Sequence, residues 1–137
     1  MLKYCFVCIL FGTLLYSEDL LFITNMSNGI ETLGTSELRL IYLKKRRFWK
    51  ETKLVPLNLP PDNKLRKRVE NNVLHMPALA LDEYWMKEHY LGHRPPYRVD
   101  SVKGMILFVK KVKGAIGYIP ESKLVPGVKV VYRVGKQ

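Results

Sequence analysis

Cysteine is nearly missing from this chain. Two occur in 137 residues, Cys5 and Cys8, both inside the first apolar run. The remainder therefore has no thiol nucleophile, no disulfide staple and no cysteine metal ligand. Acidic residues are also scarce, 12 Asp and Glu against 23 Lys and Arg. Carboxylates paired for acid–base work are scarcer still: Asp82 and Glu83 are adjacent on a predicted helix and so point in different directions. No Gly-x-Ser-x-Gly occurs, and Ser27, Ser36, Ser101 and Ser122 stand where loops and caps want serine. No residue set supports an enzyme, and nothing calls for a cofactor. No internal repeat or low-complexity segment interrupts what reads as one domain with one core.

The chain does carry a leader-like start. Met1-Leu2-Lys3 is positive, Tyr4 to Leu15 is apolar but for Gly12 and Thr13, and Tyr16-Ser17 precedes the acidic pair Glu18-Asp19. That layout reads as a secretory signal over residues 1–17, with the domain in 18–137. A membrane span needs roughly 18 or more apolar residues, so a retained anchor is the poorer reading. A cysteine-free exported domain suits a Gram-negative periplasm better than a disulfide-stapled secreted fold. Removing the leader takes away one charge, Lys3, from a formal +11. So basic a domain favours acidic partners: phosphate-like anions, anionic headgroups or acidic proteins. Nucleic acid is the usual first expectation for such charge, and export argues against it. The same charge also reads as an ordinary solvated surface.

Local pattern predicts alternating strands and helices. Leu20–Thr24 is apolar without alternation, as in a strand of a helix-covered parallel sheet, and Asn25–Gly29 is a turn cluster. Gly34 opens a two-turn helix whose Leu38, Ile41 and Tyr42 share a face, with Leu40 and Leu43 widening it. Lys44–Arg47 complement its C-terminal dipole, and Phe48 and Trp49 are expected to fold back on the sheet. Leu54–Leu59 is the second strand, with Pro56 near its start or on an edge. Asp62 or Asn63 caps a helix burying Leu65, Val69, Val73 and Met76, with Lys64, Arg66, Lys67 and Arg68 outward or sideways. Pro77 to Leu91 is a third helix with a Leu81, Tyr84 and Trp85 stripe, ended by Gly92. His93–Arg98 is an extended basic loop. Asp100 or Ser101 caps a last helix with Met105, Phe108, Val109 and Val112 inward, and strands follow at Ala115–Ile119 and Val128–Val134, the latter after a Pro126-Gly127 turn. The class is α/β: a small mixed or parallel sheet flanked by helices.

Two chemistries remain. His89 and His93, four apart with Glu88 adjacent, have a zinc-like spacing, but Gly92 intervenes and no third ligand is placed, so no metal site is assigned. Anion binding fits better. Helix starts after strands offer free amides and a positive dipole end. Two such places occur, with Ser27 and Asn28 after the first strand and Asn63, Lys64 and Arg66 after the second. Asn63 reads first as a simple helix cap.

The order of these motifs resembles one lobe of the phosphate-binding proteins of ABC transporters. The likeness runs from Leu38–Leu43, through the basic turn closing on Trp49, to the strand before a polar helix start. It continues in the Tyr84-Trp85 helix, the Gly92 to Pro96 loop and Gly114-Ala115-Ile116-Gly117-Tyr118-Ile119. The resemblance implies one lobe of a type 2 periplasmic binding protein fold and a non-enzymatic role in solute binding. Three departures stand out. The chain is long enough for one lobe, where the family closes two. Leu59–Leu65 also lacks the hydroxyls, glycines and arginine with which the family's Arg-Ser-Asp-Gly-Ser-Gly-Thr-like segment grips phosphate, and Lys44 stands where relatives usually end a helix with glycine. The competing reading is an interaction module that docks a membrane sensor, a transporter subunit or a second copy of itself.

Overall fold

The computed structural model describes residues 18–135. The leader reading of residues 1–17, with its cysteines, lies outside the described residues. Four helices and a five-stranded sheet form in the order β1 (Leu20–Asn25), α1 (Thr35–Tyr42), a hairpin of β2 (Phe48–Trp49) and β3 (Thr52–Lys53), β4 (Val55–Asn58), α2 (Lys64–Asn72), α3 (Ala78–Tyr90), β5 (Tyr97–Arg98), α4 (Val102–Lys111), β6 (Ala115–Pro120) and β7 (Val128–Val134). The sheet order is β5-β4-β6-β1-β7. The three apolar runs Leu20–Thr24, Leu54–Leu59 and Ala115–Ile119 therefore lie side by side, as expected.

Direction is where β1 departs from expectation. It is antiparallel to both neighbours, β6 and β7, while β4 runs parallel to β5 and β6. Its unbroken apolar run reflects a central position covered on both faces, which antiparallel pairing allows equally. On one face Phe22 meets Tyr42 of α1 edge-on at 5.8 Å between ring centres, and also touches Tyr118 and Tyr132. On the other, Met105 of α4 lies over Gly117, where an added Cβ would sit 2.7 Å from its Cγ.

Pro56 sits inside β4 without breaking it. The Val55 N–H donates to the Gly114 carbonyl, so by alternation the Pro56 nitrogen points away from β6. There β5 pairs only Leu57 and Asn58, and the missing N–H is not needed. Gly114 is required by close approach: a Cβ there would stand 1.8 Å from the Lys53 carbonyl oxygen.

Several side chains differ from expectation. Leu40 is exposed, because a helix of two turns buries a stripe of only Leu38, Ile41 and Tyr42, with Leu43 following. Phe48 is exposed too, since the β2–β3 hairpin turns it outward. Trp49 is the half-buried one, under the Arg46 guanidinium at 4.2 Å. Arg66 points inward rather than out. Tyr97 and Arg98 of the expected loop form an edge strand instead.

Candidate functional site

The carboxyl end of β4 carries a connected polar network. The Tyr118 phenol donates to the side-chain oxygen of Asn58 and accepts the Leu59 amide at 3.0 Å. The Leu59 carbonyl accepts from Arg66 Nη1 at 2.8 Å, and Arg66 Nε is paired with Glu70 at 2.8 Å. Glu70 is buried, and Arg66 is the partner that makes this tolerable. Burial pushes the Tyr118 phenol well above the usual tyrosine range, so it stays a donor. Tyr42 is raised for the same reason; its hydroxyl donates to the Leu57 carbonyl at 2.9 Å.

This network lines a cleft of about 170 Å³. Asn58, Arg66 and Arg98 face it across an apolar wall of Trp85, Pro95 and Pro96. Parallel pairing of β5 with β4 sets Arg98 level with Asn58. The Asn58 side-chain oxygen is occupied by Tyr118, which leaves the amide nitrogen of this cleft-lining residue as the donor. Arg98 lies 3.6 Å from Asp100, an exposed pair of little energetic weight. With Arg66 Nε and Nη1 already bonded, the arrangement offers the remaining Arg66 nitrogen, the Arg98 guanidinium and an amide, donors that an oxyanion can use. Sequence pattern alone does not single out Asn58 or Arg98. The signal for Arg98 was a short extended segment after a helix, Tyr97-Arg98, returning to the edge of β4.

The five anion candidates are not brought together. β1 runs against β6, with Thr24 opposite Ile116, while β4 runs with β6, with Val55 opposite Ala115. The end of β1 therefore lies beside the start of β4. Ser27 and Asn28 sit at one end of the sheet; Asn63, Lys64 and Arg66 sit at the other. Around β1's end the polar groups are spent on each other. Asn25 Nδ2 donates to the Val109 and Lys110 carbonyls at 2.8 and 3.1 Å, closing the C-terminus of α4. Asn25 Oδ1 accepts from the Ser27 hydroxyl at 2.7 Å. Asn28 donates to Thr24 at 2.6 Å and to the Lys113 carbonyl at 3.0 Å, while its oxygen accepts the Ile30 amide. At the other end, the Asn63 side-chain oxygen accepts the amides of Leu65 and Arg66, the cap of α2. Lys64 is exposed beside it.

His93 and Glu88 form a close pair, Nδ1 to Oε2 at 2.5 Å, while His89 packs against Tyr90. Among the described residues no three His, Asp or Glu side chains gather as a metal site would need, and no helix is long and apolar enough to cross a membrane.

Similar architectures occur among solved structures. The chain superposes on a protein assigned as a phosphate ABC transporter substrate-binding protein from Clostridium perfringens, solved with bound phosphate, at a TM-score of 0.69 and 20% identity. It has the fold of one lobe of such a receptor. An ABC-type phosphate transport receptor from Vibrio cholerae and the PstS protein of Borrelia burgdorferi match at TM-scores of 0.62 each, with 17% and 18% identity. Each match covers 85% of this chain but 46–47% of the other, so the chain spans about half the length of these receptors. These neighbours are binding proteins rather than enzymes. No family model matches the chain, and no curated protein does.

Proposed function

We propose that this chain is a solute-binding-like lobe that takes a small oxyanion, phosphate first among them, for an ABC transporter, in the periplasm to which residues 1–17 would direct it. The observation that carries this is the convergence of Arg66, Arg98 and the Asn58 amide on one cleft at the carboxyl end of the parallel pair β4–β5. Ligands in open α/β sheets favour that place. The donors are side chains, because the first amides of α2 are taken by Asn63. Lys64 adds an approach charge. One wall buries little of a ligand, so affinity for the lobe alone is weak, with Kd on the order of millimolar. Isothermal titration with inorganic phosphate at low salt tests it; absence of heat at millimolar protein and ligand counts against the reading.

A second reading, docking to another copy, is favoured by α3. Leu79, Met86 and Tyr90 are 72%, 64% and 84% exposed and fall on one stripe of the helix. Glu83 and Lys87 flank it on one side and Asp82 and His89 on the other. Antiparallel α3 helices related by a two-fold axis near Trp85 would set Glu83 against the partner's Lys87, and the reverse, around that apolar stripe. Sedimentation of the wild type and of Met86→Glu tests this. A dimer lost in the variant supports it; a strict monomer, or recovery only with a membrane sensor or transporter subunit, overturns it.

A further inference from the structure

A second cavity, of about 220 Å³, opens at the other end of β4, where α1 finishes and the hairpin returns. Lys44, Arg47, Lys53 and Arg94 line it, and no carboxylate does. None of the four forms an ion pair among the described residues, although Arg46 next door is paired with Glu37. Lys53 precedes β4 and Asn58 ends it, so about 15 Å of strand separates this cavity from the cleft above. It is a different site and does not rest on the reading of that cleft.

The plain alternative is that these cations only complement helix ends. α1 and α3 both finish here, at Tyr42 and Tyr90, with Lys44 and Gly92 just beyond their caps. Each helix end supplies about half a negative charge. Glu88 adds one more, shared with His93. Against four cations that leaves roughly two positive charges uncompensated. The Lys44 ammonium registers this: its pKa is lowered by burial first, then by repulsion from Lys53 and Arg47. Lys44 also occupies the left-handed region, φ 60°, where a side chain is strained and glycine is at ease. The Arg47 guanidinium is held over the same turn by its Nε donating to the Lys44 carbonyl at 3.3 Å. A helix end satisfied by glycine would need neither the strain nor the repulsion.

We propose that the Lys44–Arg47–Lys53–Arg94 cavity binds a multiply charged phosphate group, either free, as in pyrophosphate, or as the exposed phosphomonoester of a lipid headgroup. The cavity has room for such a group with a few waters, at about 30 Å³ per water. Two or more negative charges are needed to match the surplus, which disfavours chloride and monocarboxylates. Tyr90 and Leu91, exposed and immediately before Gly92 of the lining in sequence, would rest at a headgroup surface if the lipid is the source.

The test is thermal unfolding of the full chain with pyrophosphate, with sodium chloride of equal ionic strength as reference. Pelleting with phosphatidylcholine vesicles, with and without phosphatidic acid, forms the second arm. Lys44→Gly is the informative variant, because relief of strain should raise its ligand-free Tm, so it will fold. Arg98→Ala is the control for the cleft. At ten times Kd, pyrophosphate is expected to raise the wild-type Tm by about 5 °C. The rise should vanish in Lys44→Gly and persist in Arg98→Ala. Phosphatidate-dependent pelleting that fails in Lys44→Gly identifies the lipid source instead. The proposal is overturned if neither probe acts on the wild type beyond the salt reference, or if either effect survives Lys44→Gly undiminished.

Discussion

Tyr118 and Asn58, sixty residues apart in sequence, are joined by a hydrogen bond from the phenol to the carboxamide oxygen. The bond ties the core strand β6 to the last residue of β4 and so fixes the wall on which Arg66 and Arg98 stand. Tyr118→Phe is therefore expected to cost about 1–3 kcal/mol, because Asn58 and the buried Leu59 amide both lose a partner. Urea unfolding of the two proteins measures this.

The same phenol sets an alkaline limit. Burial raises Tyr118 and Tyr42 above the ordinary value of 10.0. A group whose folded pKa is raised contributes stability that is fully present below the unfolded pKa and lost as pH climbs toward the folded one. Stability is thus expected to be insensitive to these tyrosines below about pH 10 and to fall above it. Unfolding free energies across alkaline pH check this; in Tyr118→Phe the fall should be shallower.

Gly114 and Gly117 are three residues apart and should respond differently to one methyl group. At Gly114 the added carbon meets the Lys53 backbone at 1.8 Å; at Gly117 it meets the movable end of Met105 at 2.7 Å. Gly114→Ala is expected to cost about 3 kcal/mol or more, and Gly117→Ala clearly less. Denaturant midpoints with unchanged slopes would show it.

Asn25 closes α4 by donating to two terminal carbonyls while its oxygen organises Ser27. Asn25→Ala should cost about 2 kcal/mol or more and Ser27→Ala under about 1. Neither should alter phosphate affinity, since this loop lies at the far end of the sheet from the cleft. Calorimetric titration of both variants checks the second point.

Much of the fold was legible because apolar runs and punctuation carry it. Leu20–Thr24, Ala115–Ile119, the Gly92 stop, the Ser101 cap and the Asn63 cap all follow from local chemistry. What local chemistry does not contain is strand direction. An unbroken apolar run says that both faces are covered, and nothing in Leu20–Thr24 says which way β6 runs beside it. That missing fact decided the site. With β1 antiparallel, Ser27 and Asn28 fall at the opposite end from Asn63 and Arg66. Asn58 and Arg98 meet only through pairing of a two-residue strand too short to leave a periodic signal. Lys44 was visible as an unusual residue at a helix end, but its convergence with Arg94, fifty residues on, required the chain to be folded.

The central claim is that the lobe holds an oxyanion between Arg66, Arg98 and the Asn58 amide. Nitrogen–proton correlation spectra recorded during titration with inorganic phosphate test it most directly, in the wild type and in Arg98→Ala. The account predicts saturable shifts of the Asn58 side-chain amide and of the Arg66 and Arg98 Nε–H groups, with affinity about tenfold or more weaker in the variant. Signals from these three groups that stay fixed at millimolar phosphate would contradict it.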